Sequence, residues 1–205
     1  PSDRADFLLK RRFLYNEGMH LIVGLGNPDP QYQATRHNIG ASFLDLLAKE
    51  LGAEFSEDKK LMGLVATGKL NKTPVTLLKP TTYVNKSGEA VKKAKLKFKV
   101  KADQILILHD DLDVPFGKTK YTPASGAGGH KGIRSILQQL KTEAIPRIKI
   151  GVANSKLKLA RSQRSDEKRI ALIGDFVLGK FTPAEKEKLR AIWKEVLVRL
   201  EQNIK

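Results

Sequence analysis

The chain of 205 residues contains no cysteine. Disulfides and thiolate metal sites are therefore excluded, and a reducing compartment such as the cytoplasm fits. Also missing is any apolar run near the roughly 18–20 residues that a membrane-spanning helix needs. The early "FLL" is too short for the apolar core of a secretory signal, and charges follow it rather than a small-residue cleavage site. Acidic side chains are outnumbered, 22 against 38 basic ones, for a formal net charge of +16. Such a surplus predicts attraction to polyanions, nucleic acid above all. A basic amphipathic helix with bulky aromatics on one face is also lacking, which argues against an anionic membrane as the partner.

Two nucleotide-binding signatures fail for want of a glycine. "GLGNPDPQYQATRHNIG" (24–40) opens as G-x-G after an apolar strand, but Asp29 stands where a dinucleotide loop needs its third glycine. In "FGKT" (116–119) the first glycine of a P-loop would fall on Leu112. There is no G-x-S-x-G elbow. Without that or a cysteine, a covalent nucleophile is not favoured.

What is present is an alternation of strand and helix patterns. "HLIVGL" (20–25) predicts a buried strand. Asn38 is read as capping a helix through "IGASFLDLLAKEL", ended by Gly52. "MGLVATGKL" and "PVTLLKP" read as strands about a turn at 71–74. The lysine-rich "KKAKLKFKVK" (92–101) suits either helix or strand. "QILILHD" (104–110) is the strongest buried-strand signal, with polar residues at its C-terminal end, where open α/β sheets place ligands. "KTKYT" and "RIKIGV" (147–152) read as further strands. "SGAGGHKG" leads into a helix with Ile133, Ile136, Leu137 and Leu140 on one face. Residues 155–169 read as a basic, mobile loop. Thr182, Pro183 and Glu185 predict a capping box with proline at the first helical position. The expected fold is a single α/β domain over 19–205: a mixed, mostly parallel twisted sheet flanked by helices. Residues 1–18 read as an N-terminal extension or added remnant, with an additional helix as the alternative.

Four histidines compete for a functional role. His20 starts a strand and reads as structural, and His109 ends a buried strand as a core histidine. His37 lies in the polar loop after the first strand, and His130 lies in a glycine-rich loop at a helix start. Asp110, Asp111 and Asp113 in "HDDLD" suit a Mg²⁺ site, an exposed turn, or the orientation of a histidine. Water activated by a histidine is the economical route to hydrolysis that remains.

Six blocks, in order, carry a resemblance. "LIVGLGNPDPQYQATRHNIG", "LKPTTYVNKSGEAV", "ILILHDDLDVPFGKTKY", "GAGGHKGIRSI", "RIKIGV" and "FVLGKFTPAE" resemble bacterial peptidyl-tRNA hydrolase over about residues 19–200. The resemblance implies a single-domain, monomeric cytoplasmic enzyme that uses neither metal nor cofactor, with no obligate protein partner. It implies cleavage of the ester between a peptide and the 3′-terminal ribose of tRNA. His37 matches the water-activating histidine, and Asp110 the aspartate that orients it. Asn85 matches a substrate-binding amide that assists the attacking water or the carbonyl. Asn27 matches the residue associated with preferring a blocked amine, and Tyr32, Tyr83 and His130 match positions lining the groove.

The chain departs from that family in four places. Lys131 stands where the family has asparagine, and it carries over as a binding position only. Val84 replaces a methionine. One lysine of the family's phosphate clamp falls on Thr122, for which Lys120 is the expected substitute, and Lys149 fills the partner position. The basic segment 155–169 is longer than usual. Two further readings stand beside the hydrolase: a non-catalytic RNA-binding relative of the same fold, and a Mg²⁺-dependent nuclease built on the three aspartates.

Overall fold

Short apolar runs bounded by turn residues become the strands of one seven-stranded sheet in this computed structural model, which describes residues 18–204. Apart from Gly18, the expected N-terminal extension lies outside the described residues. The strands are β1 (His20–Gly24), β2 (Ser56–Asp58), β3 (Gly63–Leu70), β4 (Thr73–Pro80), β5 (Ile105–Pro115), β6 (Thr119–Thr122) and β7 (Arg147–Ala153). Their order is β2-β3-β4-β1-β5-β7-β6. The central strands β4, β1, β5 and β7 are parallel, while β2, β3 and β6 join antiparallel at the edges.

Helices cover both faces. On one, α1 (Ile39–Glu50), α4 (Ser155–Arg161), α5 (Asp166–Leu178) and α6 (Pro183–Asn203) contribute to a core with Ile22, Leu77, Leu106, Leu108 and Ile150. On the other, α2 (Ser87–Phe98) and α3 (Lys131–Leu140) pack over Leu21, Val23, Ile105 and Ile107. Alternate residues of β1 and β5 thus feed opposite cores, as the pleat requires. Their continuous apolar runs reflect burial on both faces.

Several expectations are corrected. Residues 155–169 are not a loop. Asn154 caps α4 by accepting from the backbone N–H of Lys156 and Leu157, at 3.0 and 3.3 Å, and Leu157 and Ala160 are buried. Ser165 then caps α5. Two buried small or apolar residues, three apart and under a good cap, suffice for a helix that the surrounding basic residues disguise. The lysine-rich run resolves as helix: α2 buries Val91 and Ala94, and Lys99 ends it in the left-handed region at φ 53°. Strand β5 continues past Asp110 to Pro115, with an irregularity between Asp111 and Pro115. The polar strand β2 has no apolar signature to announce it.

Asn38 occupies the N-cap position of α1 but makes no cap hydrogen bond. Its side chain instead clamps the loop of β1: Oδ1 accepts from the backbone N–H of Asn27 and Nδ2 donates to the Asn27 carbonyl, both at 2.9 Å. Helix α1 approaches β5 so closely at Gly40 that a Cβ there would lie 2.1 Å from the Leu108 carbonyl oxygen. Only glycine permits that approach, which sets the loop after β1 beside β5 at Leu108, where the pairing of the two strands ends.

Candidate active site

A short 3₁₀ turn, Arg36–Asn38, carries His37 to Asp110, in the middle of β5 just beyond the carboxyl end of β1. The turn is pinned from behind. Buried Arg36 donates through Nη1 to the Gly179 and Lys180 carbonyls, at 3.1 and 3.0 Å, and through Nη2 to Glu185 Oε2 at 2.7 Å. Its guanidinium also stacks over Phe176 at 4.6 Å. Arginine's planar fork suits this multiple attachment.

His37 Nδ1 lies 2.8 Å from Asp110 Oδ1. Since a carboxylate only accepts, the imidazole donates through Nδ1 and its Nε2 carries the lone pair. Burial draws the His37 pKa down, but the charge and hydrogen bond of Asp110 outweigh it, so the pKa is raised above its ordinary value; the Lys131 cation works in the opposite direction. Burial would push Asp110 up, yet the charges and hydrogen bonds of His37 and His130 hold it well below the usual carboxylate range. The result is a carboxylate ionised at neutral pH beside a histidine of enhanced basicity.

Two more histidines surround the same aspartate. His130 Nε2 lies 3.1 Å from Asp110 Oδ1, and the His130 ring sits 4.8 Å from that of His37. His109 donates through Nδ1 to the Asp110 carbonyl at 2.7 Å and meets the His130 ring edge-on at 4.9 Å. Complete burial holds the His109 pKa well below its ordinary value, and its Nε2 is buried without a partner. The expectation of a satisfied core histidine holds for one ring nitrogen only.

The three aspartates do not converge. Asp110 serves the histidines, Asp111 pairs with Lys149 at 2.9 Å, and exposed Asp113 pairs with Arg161 of α4 at 2.7 Å. Successive strand residues face opposite ways, which separates Asp110 from its neighbours and removes the basis for a triple-carboxylate Mg²⁺ site. His37, Asp110 and His130 do place potential ligand atoms within 4.8 Å of one another. Here, however, the two imidazoles engage the carboxylate through hydrogen bonds.

The remaining site candidates lie on the loop after β1, the turn before α2 and the start of α3. Asn27 bridges two segments, its Oδ1 accepting from Val84 N–H at 2.9 Å. Asn85 lies exposed on the next turn, Val84–Lys86. Tyr83, 51% exposed, donates its hydroxyl to Asp29 at 2.6 Å, and that carboxylate raises the phenol's pKa. Tyr32 is half-buried in the same loop as Asn27. Lys131 is the exposed first residue of α3.

Farther out, Lys120 of β6 lies directly opposite Lys149 of β7, and Thr122 opposite the buried Arg147. Directly opposed residues share a sheet face, so Lys120 and Lys149 lie on one face of the β6–β7 pair. The sequence alone did not show Arg36, Glu185 and Asn154 as supports of the turn that carries His37. A capping glutamate was legible at 185, but nothing local marks its second partner 149 positions away.

A parallel-centred α/β sheet, with a carboxylate-held histidine just beyond the carboxyl end of its central strand β1, defines a class of site that can activate water. The chain belongs to the peptidyl-tRNA hydrolase family, whose sequence model, described as Peptidyl-tRNA hydrolase, matches residues 21–205. The peptidyl-tRNA hydrolase of Trichodesmium erythraeum is 38% identical over 186 residues, which span 90% of this chain and 82% of that protein. That of Neisseria meningitidis is 44% identical over 134 residues, 65% of this chain and 70% of that one. The solved peptidyl-tRNA hydrolase of Acinetobacter baumannii is similar in structure, with a TM-score of 0.80 at 30% identity, covering 93% of this chain and 90% of that one.

Proposed function

We propose that this protein hydrolyses the ester between a peptide, or other N-blocked aminoacyl group, and the 3′-terminal ribose of tRNA. The observation that carries the reading is the buried 2.8 Å His37–Asp110 pair just beyond the carboxyl end of β1. An RNA-binding relative without activity would need no such pair. His37 Nε2 takes a proton from water as the water oxygen attacks the ester carbonyl. Asp110 stabilises the resulting imidazolium and keeps the ring in the productive tautomer. The Asn85 amide donates to the developing oxyanion. Collapse of the tetrahedral intermediate expels the ribose oxygen, which takes its proton from His37.

An ester suits so modest an apparatus, because its alkoxide leaves far more readily than an amine. Asn27, held by Asn38 and Val84, offers a fixed amide that can pair with a peptide group without adding charge. Tyr32 and Tyr83 line the groove for the peptide or the 3′ end, with Lys131 at its edge. Lys120 and Lys149 take the tRNA backbone phosphates. The protein acts as a monomer in the cytoplasm. Among the described residues no helix is long and apolar enough to cross a membrane.

The decisive assay is cleavage of N-acetyl-aminoacyl-tRNA in the presence of EDTA, with the tRNA recovered intact. His37→Ala is expected to lower kcat by about 10²–10⁴-fold, the usual contribution of a general base, while tRNA affinity stays near normal. Near-normal single-turnover cleavage by His37→Ala overturns the role of His37. Cleavage of the polynucleotide, or loss of activity in EDTA, would revive the nuclease reading.

A further inference from the structure

His130 is more tightly constrained than a groove-lining residue needs to be. Gly128 and Gly129, at φ +55° and +81°, carry the chain through the left-handed region, which side chains with a Cβ resist. They deliver His130 to the N-cap position of α3 in extended geometry, φ −73° and ψ 113°. There its ring, rather than a hydroxyl or carboxylate, caps the helix. Nδ1 accepts from the backbone N–H of Gly132 at 3.1 Å and of Ile133 at 3.3 Å. A nitrogen that accepts from N–H presents its lone pair, so the ring proton sits on Nε2. That nitrogen lies 3.1 Å from Asp110 Oδ1 and therefore donates to it.

We infer that His130 is a positioning residue: a donor locked in one tautomer by the N-terminus of α3, which fixes the Asp110 carboxylate on which His37 depends. The inference rests on the reading of His37 as the base and deepens it. Asp110 Oδ1 receives two N–H groups, one from each imidazole. The backbone carbonyl of the same residue receives a third, from His109. The carboxylate is thereby held against rotation on a strand that is paired on both sides. The second donor also spreads the charge on Oδ1, which moderates its pull on the His37 proton. The usual cap residues could not replace His130 here. Serine, threonine or aspartate would cap α3 equally well, but none carries a second, oppositely directed donor.

The charged and titratable groups facing His37 are Asp110 on β5 and His130 and Lys131 at the start of α3. His109 stands behind His130. Removing the His130 donor concentrates negative charge on the oxygen that His37 uses. His37 then holds its proton more tightly, and the acidic limb of the rate profile moves to higher pH.

The first test needs no mutation. Long-range ¹H–¹⁵N correlation spectra of the imidazoles should show the neutral His130 ring with Nε2 protonated and Nδ1 as an acceptor. An Nδ1–H tautomer, or a mixture in exchange, overturns the lock. This readout does not depend on what His37 does, so it separates failure of the lock from failure of the hydrolase reading. The second test is His130→Asn, which keeps a good helix cap but is too short to reach Asp110. With N-acetyl-aminoacyl-tRNA, kcat should fall about tenfold or more, KM should stay within about twofold, and the acidic limb should move up in pH. A rise in KM alone, with kcat and the acidic limb unmoved, would mean that His130 only lines the groove.

Discussion

The proton affinity of His37 is a contest in which Asp110 pulls upward against burial and Lys131. The base must be unprotonated to work, so kcat/KM should rise with pH through the raised His37 pKa and level off above it. Asp110→Asn removes the charge and weakens the hydrogen bond, which leaves burial in control. The acidic limb should then move to lower pH, while the maximal rate falls because the tautomer and the imidazolium lose their support. Lys131→Asn removes a downward influence, so its limb should move to higher pH with little change in maximal rate. Opposite displacements of the two profiles are the expected signature, measured on N-acetyl-aminoacyl-tRNA. An unmoved profile in Asp110→Asn would mean that the aspartate is not His37's partner. The lysine at 131 thus has an electrostatic consequence that composition alone does not reveal.

At the scale of elements, the turn that carries His37 depends on a junction between helices. Glu185 closes the capping box of α6, accepting from Thr182 N–H at 2.8 Å. The same carboxylate pairs with Arg36 and accepts from the Asn154 amide at 2.8 Å, and Asn154 in turn caps α4. One acidic side chain thus joins the starts of two helices to the residue preceding His37. Glu185→Ala should destabilise the protein by about 3 kcal/mol, the lower range for breaking a buried pair, as read from denaturant midpoints. Burial raises the Glu185 pKa, but the Thr182, Asn154 and Arg36 interactions prevail and lower it. Its contribution is therefore present above the ordinary glutamate value of about 4.3 and is lost as pH falls through the lower folded value. The Tm difference between wild type and Glu185→Gln should be full near neutrality and close in acid. A gap independent of pH would mean that shape, not charge, holds the junction.

At the scale of the whole molecule, a net charge of +16 acts as a field that draws in tRNA. Lys120 and Lys149 face the same way across the β6–β7 pair, and Asp111 orients Lys149. Each phosphate contact removed should flatten the salt dependence of binding by up to about one unit of slope. Lys120→Ala and Lys149→Ala should therefore lose kcat/KM toward full-length peptidyl-tRNA at low salt. A short ester substrate ending in one adenosine should be turned over almost normally. Equal defects with both substrates would place these lysines in support of the fold or the chemistry. A defect confined to Lys149→Ala would mean that Lys120 does not stand in for the lysine missing at Thr122.

Patterns local to the chain determined what could be read without a structure. Apolar runs announced β1, β4, β5 and β7, a Thr-Pro-x-Glu start announced α6, and the ordered blocks announced the family, because each depends on residues close together in sequence. The segment 155–169 reads as loop because α4 and the first turn of α5 show few apolar residues among many charges, and caps at Asn154 and Ser165 carry little weight until something packs beneath them. Pairings across distance had no local sign at all. His37 meets Asp110 only because Gly40 lets α1 settle on β5, and Arg36 reaches Glu185 only when α5 and α6 fold back over the loop. The chain alone determined the elements, the charge and the candidate residues. Tertiary structure decided which aspartate holds His37, which nitrogen of His130 carries the proton and what anchors the turn, because hydrogen bonds are set by positions in space and the chain specifies those only once its cores have packed.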